Sequence, residues 1–165
     1  MSQQEQKFHD QVVWVSGAAK GIGRGIALHF ARAGAKVALV DIDAGLGEKL
    51  ACEIAKENGT AQFIPCDMGK EADIKQAISQ TAEIFGGINI LINNAGIILV
   101  KPLHELSSEE WDDQLAINLK AYFLSFKYAY PYLKANKQSY VVNMGSVNSF
   151  VGQAHTPAYN ASKSA

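Results

Sequence analysis

The 165-residue chain is 48% hydrophobic and 19% charged, enough apolar material for one core; no repeat, linker or low-complexity stretch marks a second domain, so residues 1–165 are read as a single unit. A net charge of −1 offers no electrostatic footprint for nucleic acid. The polar opening, Met1 to Asp10, lacks signal-peptide character, and Ile97-Ile98-Leu99-Val100 is far too short to span a bilayer. Two unpatterned cysteines (Cys52, Cys66) and four scattered histidines (His9, His29, His104, His155) form no metal or disulfide motif, so a cytoplasmic protein that needs no metal is expected.

The first element is a buried strand over 11–16, followed at once by Gly17-Ala18-Ala19-Lys20-Gly21-Ile22-Gly23. A helix over 22–33 comes next, with Ile22, Ile26 and Phe30 predicted on one face and Gly34 as its stop. A strand, a glycine-rich turn and a helix N-terminus together form an anion site, because backbone N–H groups and the helix dipole face a phosphate that can approach glycine closely. The glycines are spaced G-x-x-x-G-x-G, not the commoner G-x-G-x-x-G. A second strand, 37–41, ends on Asp41, about 20 residues after the turn, where a carboxylate accepts hydrogen bonds from an adenosine ribose diol and repels a 2′-phosphate. Asp41 therefore argues for NAD over NADP, while Lys20 pulls weakly the other way. Without a ligand, the same features are a tight turn and an acid that starts the next one.

Further elements alternate: helix 44–57, strand 61–65 running into Cys66-Asp67-Met68, helix 70–85, strand 88–93 running into Asn94-Ala95-Gly96, helix 107–135, strand 139–145, and a helix from about 157. Strict alternation with strands apolar throughout predicts an α/β fold, a parallel sheet covered on both faces. Asn118 interrupts the inward stripe of the 107–135 helix, three residues after Leu115 and four before Tyr122. A buried asparagine there costs free energy unless its polar atoms are satisfied.

Near the end, Thr156-Pro157 suits an N-cap followed by the first helical position, which puts Tyr159 and Lys163 on one face of the last helix, with Ser146 thirteen residues before Tyr159. Tyr-x-x-x-Lys recurs at Tyr130 and Lys134, but Ile117 holds the upstream position there, so Tyr130 is read as core and Lys134 as solvated. A free phenol titrates near 10, and its use in proton transfer near neutral pH needs roughly 3 to 4 kcal/mol of help. One lysine cation about 4 Å away at an effective dielectric near 20 supplies about 4 kcal/mol. His155, in the loop between Ser146 and Tyr159, is read as solvated, with substrate contact as the alternative.

In order and spacing these residues resemble the short-chain dehydrogenase/reductases in their single-domain form, from about Lys7 to the end of the chain. Gly17, Gly21 and Gly23 resemble the family's cofactor turn, Asn93-Asn94-Ala95-Gly96 its N-N-A-G segment, and Asn118, Ser146, Tyr159 and Lys163 its catalytic tetrad. The resemblance implies a doubly wound, Rossmann-like sheet of five strands in the order 3-2-1-4-5, lacking the family's last two strands. It places Gly17, Lys20, Gly21, Ile22, Gly23, Asp41, Asp67, Met68, Asn94, Ala95 and Gly96 around the cofactor, with Asp67 on the adenine amino group and Asn93 tying strands together. It implies hydride exchange between NAD (or less favourably NADP) and an alcohol or carbonyl compound. Tyr159 would pass the proton, Lys163 would favour the phenolate and grip the nicotinamide ribose, Ser146 would polarise the substrate oxygen, and Asn118 would bend its helix and hold a water of the proton relay. By the same resemblance the chain is C-terminally incomplete and the full-length form a homo-oligomer. Two other readings share these residues: a fragment or NAD-binding regulatory module without catalysis, and an extended-family sugar-nucleotide epimerase or dehydratase, which the glycine spacing and the N-N-A-G segment disfavour.

Overall fold

In the computed structural model, residues 7–165 are described. Five parallel strands, β1 (Val12–Ser16), β2 (Lys36–Asp41), β3 (Thr60–Pro65), β4 (Ile90–Asn93) and β5 (Tyr140–Asn143), form one sheet in the order β3-β2-β1-β4-β5. The sheet is wound by α1 (Gly21–Arg32), α2 (Ala44–Lys56), α3 (Glu71–Phe85), α4 (Ser108–Leu115), α5 (Ala121–Ala135) and α6 (Pro157–Ser164). Chain order runs outward from β1 to β3 and then returns past β1 to β4, so the ends of β1 and β4 flank the point where winding reverses, which in open α/β sheets is where ligands bind.

Because side chains alternate along a strand, the central strands feed two cores. Trp14, Ala38, Val40 and Leu91 point to one face, where α3 (Ile74, Ala77, Ile78) and α5 (Ala121, Leu124, Leu133) cover them. Val13, Val15, Val37, Leu39, Ile90 and Ile92 point to the other, under α1 (Ala27, Leu28, Ala31) and α2 (Leu50, Ile54). Each large aliphatic side chain so buried contributes about 1.5–3 kcal/mol. The helices start and stop on local signals: the Asp43 side chain accepts from Leu46 N to cap α2, Ser107 and Glu110 form a reciprocal capping box on α4, and Gly86, at φ +88°, ends α3 in the left-handed region.

Four sequence expectations change. Ile22 is 67% exposed, because the inward stripe of α1 is Gly23, Ala27, Leu28 and Ala31; Ile26 and Phe30 pack at its margin. The helix expected over 107–135 is α4, a π-helical turn at Ala116–Lys120, and α5, joined as one rod with Pro131 inside α5. Tyr130 is not core. It is 46% exposed, because the buried stripe of α5 is Ala121, Leu124, Ser125, Ala129 and Leu133, and it stacks edge-on with Phe126 on the opposite side. Finally, β5 is apolar but exposed along its whole length, since only β4 flanks it and α5 covers it sparsely. No helix among the described residues is long and apolar enough to cross a membrane.

Cys66 follows β3 and is buried, while Cys52 on α2 is exposed. Burial, then the charges of Asp73 and Asp67, push the Cys66 thiol from 9.0 up to about 12. A thiol raised in the folded state stabilises fully below its unfolded pKa and loses that contribution as pH climbs from 9 toward 12, at about 1.4 kcal/mol per pH unit. At pH 8 an alkylating reagent is expected to modify Cys52 alone, read by intact mass; rapid modification of Cys66 would contradict the burial.

Candidate active site

At the end of β1 the chain turns through Gly17 and Gly21, both at positive φ (+65° and +58°), into α1. Ser16 and Asn94 hold this turn. The Ser16 hydroxyl accepts from Asn94 N (3.0 Å) and Ala95 N (3.1 Å), and Asn94 Nδ2 donates to the carbonyls of Ser16 (3.0 Å) and Gly17 (3.2 Å). The first turn of α1 carries no acidic residue, and Lys20 at its N-cap makes no side-chain capping bond, so the first N–H groups of the helix are left without a side-chain cap.

Asp41, only 8% exposed, accepts from Ala19 N through Oδ2 (2.9 Å) and from Asp43 N through Oδ1 (3.1 Å). The carboxylate therefore braces the glycine turn and starts the turn into α2. That cavity, of about 520 Å3, is lined by Gly17, Lys20, Ile22, Asp41, Asp67, Met68, Asn94, Ala95 and Gly96, together with Ile42, Asp43, Cys66, Ile97 and Ile117. Gly21 and Gly23 are not among its lining residues: Gly21 supplies backbone conformation, and Gly23 lets α1 close on Gly17 and Asn94. Asp67 accepts from Gly69 N (2.9 Å) and pairs with Lys70 (3.2 Å). Asn93 Nδ2 donates to Asn143 Oδ1 (2.8 Å), joining β4 to β5.

Ser146 follows β5 and opens a 3-10 turn, Val147–Ser149; its hydroxyl accepts from Asn148 N (3.2 Å) and lies 3.3 Å from Asn148 Oδ1. Asn148, buried, donates to Asn160 Oδ1 (2.7 Å), so the Ser146 loop is fastened to the residue beside Tyr159. Thr156 does stand at the N-cap of α6 with Pro157 next, but its hydroxyl donates to Gln153 O (3.0 Å) rather than capping the helix. His155 is exposed, with its backbone at φ +59°. On α6, Lys163 Nζ sits 6.0 Å from the Tyr159 ring centre and donates to Met144 O (2.7 Å) and Tyr122 Oη (3.1 Å); burial pushes its ammonium below the usual lysine range.

Asn118, in the π-helical turn and 1% exposed, accepts from Ile97 N (2.8 Å) and donates to Ile97 O (2.8 Å) and Ser162 Oγ (3.1 Å). Its side chain thus clamps the segment after β4 against α6. Asn118 and Lys163 also wall a second hollow of about 490 Å3 with Tyr122, Met144, Gly145 and Ser162.

Residues 11–165 match the family model described as short chain dehydrogenase. The chain belongs to the short-chain dehydrogenase family. Among the relatives of this family member are the uncharacterized oxidoreductase YxjF of Bacillus subtilis, 38% identical over 93% of this chain and 60% of that protein, and a D-threitol dehydrogenase of Mycolicibacterium smegmatis, 37% identical over 95% of this chain and 60% of that one. A solved dehydrogenase/reductase from Sinorhizobium meliloti superposes with a TM-score of 0.91 at 31% identity, covering 98% of this chain and 64% of its own. A metagenomic short-chain oxidoreductase in complex with NADP superposes at 0.90 with 32% identity, covering 94% and 71%. The chain therefore spans about 60% of the length of these curated relatives.

Within this family member several residues at the site were not legible in the sequence. Ser16 looks like the last residue of a strand, and only the return of β4 beside it shows that its hydroxyl organises Asn94 and Ala95. Asn148 and Asn160 are ordinary loop and helix asparagines until the fold brings them together. The one available signal was polarity: each is a small polar residue within three positions of a residue already singled out.

Proposed function

We propose that this chain is the cofactor-binding and catalytic part of an NAD-dependent oxidoreductase acting on an alcohol or carbonyl substrate. The observation that carries the reading is Ala95: it lines the 520 Å3 cavity, and its carbonyl lies 3.3 Å from the Tyr122 hydroxyl that receives the Lys163 ammonium. The nucleotide cavity and the Tyr159–Lys163 pair thus share one backbone segment. The residues fit a dinucleotide: a glycine turn leading into the uncapped start of α1 for the pyrophosphate, Asp41 in the wall for a ribose diol, and apolar walls in Ile42, Met68 and Ile97 for a planar base.

Bound NAD would supply the hydride-accepting nicotinamide. Gly17, Lys20, Gly21, Ile22 and Gly23 bind and orient its phosphates in this reading; Asp41, Asp67 and Met68 hold the adenosine end, and Asn94, Ala95 and Gly96 the stretch between. Tyr159 takes the alcohol proton, or returns it to the carbonyl in reduction. Ser146 donates to the substrate oxygen and stabilises charge developing there. Lys163 keeps a positive charge beside the phenol ring and reaches the nicotinamide ribose. Asn118 holds Ile97 and Ser162 so that both flanks of the pair stay in register.

The preference for NAD rests on Asp41, whose charge repels a 2′-phosphate. Fluorescence titration of the chain is expected to give a Kd for NADH about tenfold or more below that for NADPH, a difference of about 1.4 kcal/mol, with absorbance at 340 nm reporting turnover on a panel of secondary alcohols. Tighter NADPH binding overturns the cofactor preference, and failure to bind either overturns the reading.

A further inference from the structure

Tyr122 lies on α5 four residues past Asn118, on the far side of the π-helical turn. Its hydroxyl oxygen is 3.1 Å from Lys163 Nζ, 3.3 Å from Ala95 O and 3.4 Å from Met144 O, and Lys163 Nζ stands 5.0 Å from its ring centre, closer than to the ring of Tyr159. Met144 O takes a second donor of the same ammonium at 2.7 Å. An ammonium has three donors and no acceptor. With two of them fixed by Tyr122 and Met144, the direction of the third is set.

We propose that Tyr122 is a positioning residue for Lys163: it anchors the ammonium on the Ala95 and Met144 carbonyl end of the sheet, so that the remaining N–H and the positive charge are aimed at the Tyr159 side. The inference rests on the oxidoreductase reading above and adds to it a residue from a different helix.

The chemistry of the phenol suits the task. Burial, then Tyr159, push Tyr122 up to about 12, so it stays a neutral phenol at working pH. A neutral hydroxyl accepts one ammonium proton and donates its own to a carbonyl; a phenylalanine offers the same ring face but no acceptor. Tyr122 and Tyr159 are the titratable groups that face Lys163, and burial alone lowers the ammonium. The other elements packed on α6 bring no free charge to it. Glu110 of α4 is held by Lys101, Glu109, Asp112 and Asp113 are exposed, and the π-helical turn and the Val147–Ser149 turn present Asn118 and Asn148.

The test is Tyr122→Phe in the full chain, with two readouts. The titration of Lys163, followed by the 13Cε shift of the chain labelled with 13C-lysine and assigned by its loss in Lys163→Arg, is expected to move to lower pH, since a half-buried ammonium loses an acceptor. With a turned-over alcohol, the rising limb of the pH–rate profile for oxidation is expected to move about 0.5 to 1 pH unit higher, a loss of roughly 3- to 10-fold on that limb. Unchanged Lys163 titration and a superimposable pH profile, with or without a lower melting temperature, would make Tyr122 a purely structural tyrosine and overturn the proposal. If the unsubstituted chain turns over no alcohol while Lys163 still responds to Tyr122→Phe, the oxidoreductase reading fails and the positioning role stands.

Discussion

Tyr159→Phe is expected to lower turnover of NAD with an alcohol by about a thousandfold while leaving the Kd for NADH within about twofold, because positioned acid–base groups contribute about 10²–10⁴ in rate and little to cofactor binding. The substitution is isosteric apart from the hydroxyl. In the fold Tyr159 contributes its backbone carbonyl to Ser162 Oγ (2.8 Å) and its ring face to Lys163, and phenylalanine keeps both. Steady-state kinetics beside a fluorescence titration separates the two quantities. A variant retaining more than a tenth of the activity would remove Tyr159 from the proton-transfer role and with it the mechanism proposed.

The second large effect lies in the glycine turn. A Cβ on Gly23 would stand 2.6 Å from Asn94 Nδ2 and 2.8 Å from the carbonyl carbon of Gly17, and closer still to the Gly17 oxygen. Two of these atoms are backbone, already committed to the Ser16–Asn94 lacing, so relief requires moving α1 away from the turn. Gly23→Ala is expected to cost about 3 kcal/mol of stability, at the upper end for overpacking against a rigid neighbour, and to abolish measurable NADH binding. Gly25, two positions on in the same helix, meets nothing within 4 Å. Gly25→Ala is therefore expected to add about 0.5–1 kcal/mol through helix propensity. Urea unfolding of both variants provides the comparison; equal, small effects would mean that the close approach at Gly23 is not a constraint on the turn.

The parts of the molecule that sequence made legible share a physical property: their cause is local. A glycine turn between an apolar strand and a helix, an acid ending the next strand, and a Pro at the first helical position all act within a few residues, and strand order followed from the family pattern they compose. What eluded the sequence depends on neighbours. Tyr130 and Ile22 sit on apolar stripes whose phase is decided by which face meets the sheet, and the buried stripe of α1 is built from small residues, Gly23, Ala27 and Ala31, that a hydrophobicity count undervalues. The apolar β5 reads as buried, yet burial belongs to the layers around a strand and not to its own composition. Asn118 was correctly placed inward, but the partner that satisfies it, Ile97, lies 21 residues away and is backbone. Tyr122 and Asn148 gain meaning only when α5, β5 and α6 converge.

The π-helical turn at Ala116–Lys120 sets a phase relation between two halves of a single rod. Its wider winding absorbs one residue more than an α-helical turn does, and each residue of an α-helix advances the side chains by about 100°. Upstream, Gln114 faces the segment after β4, as Asn118 does within the turn; downstream, Ala121, Leu124 and Leu133 face α3 and the sheet. Removing one residue inside the turn would let it close to ordinary α-helical winding with α5 kept in phase, whereas removing one just beyond it, at Ala121, would rotate everything after the cut by about a quarter turn, swinging Phe126 and Tyr130 toward the core and Tyr122 off Lys163. Outside that turn the rod tolerates side-chain exchange far better than a change in its count, so its length is part of the chemistry it carries.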